Sequence, residues 1–161
     1  MWLIQSKYNS PEFYTCLEKE LFSLIDGEKN LTANLANISS WIYHAMPDLN
    51  WAGFYLWDEA DQELVLGPFQ GMPACIRIKA HRGICGKAFT TAITQNVDDV
   101  EAFPEHIACD SASKSELVVP LKKNGKVVGV LDLDSPKIAR FSDHDSTELT
   151  NMMAKLVVKI F

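Results

Sequence analysis

The chain has 161 residues, of which 47% are apolar and 22% charged, and a formal net charge of −6. That length suits one domain with a substantial core, and the composition excludes disordered, collagenous and coiled-coil classes. The acidic balance, with no run of five or more basic residues, argues against a nucleic-acid or anionic-membrane surface as the basis of function. The opening "MWLIQSKYNSPEF" lacks the pattern of a secretory signal, and no apolar run reaches membrane-spanning length. The expected setting is therefore a reducing cytoplasm. There Cys16, Cys75, Cys85 and Cys109 should pack, bind metal or react, not act as structural staples.

Ser10-Pro11 reads as a helix N-cap followed by proline at the first helical position, with Phe13, Leu17, Leu21 and Leu24 as the apolar stripe. A second helix is expected from Leu31 to Met46, stopped by Pro47. The period then becomes strand-like in "NWAGFYLW", the turn "DEADQ" and "ELVLGPF", which together predict a hairpin. "GICGKAFTTA" predicts a short helix and "QNVDDV" a short extended segment. "ELVVPLKKNGKVVGVLDLD" predicts two strands joined by a tight turn at Asn124-Gly125. A final helix begins at Ser142, with Asp145 completing a capping box, and buries Leu149, Met152, Met153, Leu156, Val157 and Ile160. This order predicts an α+β domain: a central antiparallel sheet with N- and C-terminal helices packed on one face.

The chemistry gathers around one hairpin. Strand alternation gives Asp132 and Asp134 a shared face with Val128 and Val130. An unbroken register from Lys123 opposite Lys126 sets Glu116 against Leu133, beside both aspartates. Clustered carboxyls raise one another's pKa, and an acid that keeps its proton near neutral pH can act as a general acid. Trp51, Gly53 and Tyr55 share one face of their strand. The spacing suits a core, and the intervening glycine suits open pocket space. Cys109 heads a polar loop with little apolar cover, unlike a cysteine that only packs. Cys85, at a helix start beside Arg82, is expected to have a lowered thiol pKa. Cys75 sits at a loop edge, and Cys16 falls on an apolar helix stripe. A zinc site built on the cysteines and His44, His81, His106 or His144 lacks any CxxC pair, so no metal is expected. The residues by themselves point to a thiol redox enzyme or sensor.

Five segments, "NWAGFYL", "LGPFQGMPACIRI", "RGICGKA", "HIACDSASKSELVVPL" and "VVGVLDLDSP…FSDHD", together resemble the free methionine-(R)-sulfoxide reductases, which are GAF-domain proteins. The resemblance covers roughly residues 10 to 160. It implies one GAF-like domain over 1–161 and reduction of the free amino acid, with no bound cofactor and thioredoxin as external reductant. The redox cysteines it implies are Cys75, Cys85 and Cys109. Cys109 is the implied nucleophile with Cys85 as the alternative, and Cys75 or Cys85 is the resolving thiol. Glu116, Asp132 and Asp134 are the implied substrate-contacting acids, with Trp51 and Tyr55 as the aromatic wall. The expected chemistry is a sulfenic acid followed by an intramolecular disulfide. A homodimer paired through the terminal helices is also expected.

Overall fold

The computed structural model describes residues 3–104 and 111–161; Cys109 and the rest of 105–110 lie outside the described residues. Helices α1 (Phe13–Leu24) and α2 (Leu31–Ala45) precede strands β1 (Trp51–Asp58), β2 (Glu63–Gly71) and β3 (Arg77–Lys79). Then come α3 (Gly83–Thr91), β4 (Gln95–Val97), a single 3-10 turn (Val100–Ala102), β5 (Ser115–Lys123), β6 (Lys126–Ser135) and α4 (Asp143–Ile160). The six strands form one antiparallel sheet in the order β3-β2-β1-β6-β5-β4. No helix among the described residues is long and apolar enough to cross a membrane.

Alternation along the strands sorts side chains into two cores. On one face Phe54, Leu117, Leu131 and Leu133 pack with Leu17 and Leu21 of α1, Leu35 and Ile38 of α2, and Leu149, Met152 and Leu156 of α4. On the other, Trp51, Tyr55, Val118 and Val130 pack with Ile84, Cys85 and Ala88 of α3. The α4 cap is the expected one: Ser142 Oγ accepts from the Asp145 N–H at 3.1 Å and the Asp145 carboxylate accepts from the Ser142 N–H at 2.8 Å. At the other end α1 starts later than expected. The Ser10 carbonyl accepts from the Phe13 N–H at 3.1 Å, so Ser10-Pro11 closes a turn and Glu12 is the capping position.

The β5–β6 hairpin departs from the expected register in a way that matters for function. Lys123 pairs with Lys126 and Lys122 with Val127, but Leu121 pairs with Gly129, leaving Val128 as a bulge. The extra residue shifts every later pair, so Glu116 lies opposite Asp134 and not Leu133. A one-residue slip exchanges the faces of a strand. Without the bulge, Glu116 would share the leucine face of β6. With it, all three acids share the α3 side. Gly129 accommodates the close approach of β1 here, since a Cβ at this position would lie 2.5 Å from the Tyr55 carbonyl oxygen.

Candidate active site

Four elements converge on a narrow cleft that is partly open to solvent and lined by both aromatic and ionisable side chains. β1 contributes Trp51 and Tyr55, β5 Glu116, β6 Asp132 and Asp134, and the first turn of α3 Gly83 to Cys85. Pro73 and Ala74 close one side. The aromatic wall also ties down that side: Trp51 Nε1 donates to the Met72 carbonyl at 3.1 Å and the Tyr55 hydroxyl to the Cys75 carbonyl at 2.9 Å. Trp51 stacks between Tyr55 and Phe69, at centroid separations of 5.9 and 5.2 Å. Gly53 is therefore not open pocket space. A Cβ there would lie 2.3 Å from the Phe69 Cβ, so the glycine admits the stack.

At the floor the Cys85 thiol lies 3.3 Å from Asp132 Oδ2, to which it donates, and 4.0 Å from Glu116 Oε1. All three residues are buried. Burial, reinforced by the charges of Asp132 and Asp134, pushes the Glu116 carboxyl well above the usual carboxylate range. Burial also raises Asp132, to about 7, although bonds from Cys85 and Glu116 hold it down in part. Near neutral pH the floor is thus a store of protons. Burial, and then the charges of Asp132 and Glu116, push the Cys85 thiol well up. This corrects the expectation that the α3 terminus and Arg82 lower it. Desolvation and two adjacent carboxyls outweigh the helix terminus, so Cys85 is held as a thiol.

Trp51, Tyr55, Cys85, Glu116, Asp132 and Asp134 thus come together as expected, and Cys75 lies at the edge of the same cluster, packed against it. Cys75 is disulfide-bonded, whereas Cys16 and Cys85 are free thiols. Cys109 lies outside the described residues. Three features of the cleft go beyond the sequence reading, which sets Arg82 and the α3 start beside Cys85 but gives neither them nor Ser113 a place in the cleft. Ser113 lines the cleft and accepts from Asn50 Nδ2 at 3.0 Å, which fixes the end of the polar loop against the start of β1. Arg82 reaches the cleft itself. The α3 N-terminus opens into it with no side-chain cap from Arg82. An uncapped helix start following Arg82 was the available signal for the last two. Among the described residues the metal-capable group is Cys85, Glu116 and Asp132, not a set of cysteines and histidines; His106 and Cys109 lie outside those residues.

Residues 34–160 match the GAF domain family. The chain is 50% identical over 143 residues to Protein YtsP of Bacillus subtilis, covering 89% of this chain and 88% of that protein. It is 47% identical over 148 residues to the free methionine-R-sulfoxide reductase of Escherichia coli, covering 92% of this chain and 88% of that protein. The free methionine-R-sulfoxide reductase from Neisseria meningitidis, solved in complex with its substrate, superposes with a TM-score of 0.92 at 41% identity, over 99% of this chain and 95% of that one. The cleft geometry and these likenesses agree, and the chain belongs to the free methionine-R-sulfoxide reductase family of GAF-domain enzymes.

Proposed function

We propose that this enzyme reduces free methionine (R)-sulfoxide to methionine in the cleft between β1, β6 and α3. The observation that carries the reading is the buried Glu116–Asp132 pair, which retains a proton near neutral pH within reach of the cleft. Sulfoxide reduction needs such a proton, because oxygen is a poor leaving group unless protonated. Trp51 offers an apolar surface to the S-methyl group. Asp134 offers a partner for the substrate ammonium, and the uncapped α3 terminus with Arg82 one for its carboxylate. Those last two contacts need a free amino acid; a peptide-bound residue has neither group.

In the proposed sequence the Cys109 thiolate attacks the sulfoxide sulfur while Glu116 protonates the oxygen. The protonated oxygen then passes from the substrate sulfur to the Cys109 sulfur as the S–O bond and the new sulfur–sulfur bond both break; the substrate sulfur keeps the electron pair and leaves as methionine, and Cys109 is left as a sulfenic acid. The Cys75 thiol then condenses with the sulfenic acid, releasing water and forming a disulfide. A thioredoxin dithiol exchanges with that disulfide and restores both thiols. The disulfide at Cys75 and the protonated, buried state of Cys85 support Cys75 as the resolving thiol. Cys85 then serves as a donor that orients Asp132.

The test follows NADPH consumption in the presence of thioredoxin and its reductase, with R and S free methionine sulfoxide offered separately. Turnover of R alone, lost in Cys109→Ser, is the expected result. Absence of turnover with folded, reduced protein would reassign the cleft to ligand sensing, and normal turnover by Cys109→Ser would remove the nucleophile assignment.

A further inference from the structure

We propose that Cys85, Glu116 and Asp132 form a binding site for a thiophilic divalent cation such as zinc or cadmium, and that the cation and the substrate exclude one another. One ligand atom from each residue lies within 4.8 Å of the others. The two sulfur–oxygen separations, 3.3 and 4.0 Å, bracket the edge of about 3.6 Å that a tetrahedral zinc ion spans between sulfur at ~2.3 Å and oxygen at ~2.1 Å. A second observation points the same way. Asp132 is only 7% exposed and lines the cleft, yet its Oδ1 is buried without a hydrogen-bond donor. One sulfur with two carboxyl oxygens favours borderline-soft cations over magnesium or calcium. Binding displaces the thiol proton and the proton held by the carboxyl pair, both released to solvent, and leaves the fourth coordination position facing the cleft.

Cation binding stands on this geometry alone, while exclusion of methionine sulfoxide rests on the proposed function. The primary experiment uses the full chain with Cys16, Cys75 and Cys109 each changed to Ser, which leaves Cys85 as the sole thiol. Cadmium chloride is titrated and the cadmium–thiolate ultraviolet charge-transfer band is read. The expected result is one cation per chain, affinity lowered more than about 10-fold by either Asp132→Asn or Glu116→Gln, and loss of the band when zinc chloride is added. No band, or a band indifferent to both carboxyl substitutions, overturns the site. A second measurement, on the oxidised chain with its native cysteines, is independent of how the triple variant folds. There Cys85→Ser should abolish the band and Cys16→Ser should leave it; the reverse pattern overturns the site. Adding free methionine sulfoxide should release the cation. Retention of the cation in a chain that turns over this substrate overturns mutual exclusion, whereas failure of turnover with cadmium still bound counts against the proposed function and leaves the cation site standing.

Discussion

Glu116 differs from an ordinary glutamate because of where its neighbours are, not because of its chemistry. Burial removes the water that would stabilise its charge, and Asp132 and Asp134 add repulsion, so the proton stays. A glutamine here preserves shape and one hydrogen-bond donor but has no proton to transfer. Glu116→Gln should lower the rate of methionine formation by about 10²-fold or more, the scale of a general acid. The substrate concentration for half-maximal rate should change far less; single-turnover measurement of methionine checks both. Asp132 has a consequence for stability. Its pKa is raised from 3.8 to about 7, so the fold favours its protonated form. Its stabilising contribution is complete below pH ~4 and is lost as pH rises towards 7. Asp132→Asn, which cannot ionise, should melt progressively higher than the wild type across that window, with a constant difference above it. Thermal melts at pH 4, 5.5, 7 and 8.5 on substrate-free, metal-free protein measure this; a difference that grows as pH falls would contradict it.

At the scale of elements, what the sequence makes legible is what local chemistry decides. Asn124-Gly125 dictates its turn, Ser142 with Asp145 its cap, and the apolar stripe of α4 its buried face. The bulge at Val128 was not legible, because Val127 and Val128 are chemically identical and neither announces which one is extra. Only the fit of β6 between β1 and β5 selects it. Cys85 misleads for a related reason. Its helix start is local and visible, but the burial that raises it is tertiary, and the two carboxyls that add to the shift come from strands 31 and 47 residues away. Gly129 offers the sharpest test of the bulge region. Gly129→Ala forces a methyl to within 2.5 Å of the Tyr55 carbonyl, so β1 must move from β6. The expected cost is about 1–3 kcal/mol in denaturant unfolding. Activity should fall by more than the loss of folded protein accounts for, since Tyr55 and Asp132 are carried by the strands that separate.

Across the whole molecule the two faces of the sheet are unequal. The α1, α2 and α4 side holds a continuous apolar core, while the cleft side has a smaller cluster under the short helix α3 and the three-residue strands β3 and β4. Stability is distributed with buried apolar contact, so the cleft side should open first. Hydrogen exchange followed by mass spectrometry should therefore show peptides from β3 and α3 exchanging well before those from β5, β6 and α4. Uniform exchange would mean that the cleft side is no weaker than the rest. The alternation of Leu131 and Leu133 with Asp132 and Asp134 along β6 has a consequence for how the family can change over time. Substitutions can accumulate on either face with little regard for the other. A single inserted or deleted residue in β6, however, would send leucines into the cleft and carboxylates into the helical core together. Length variation among descendants should thus collect in the turns between elements, and the strand carrying both aspartates should keep its residue count while its sequence drifts.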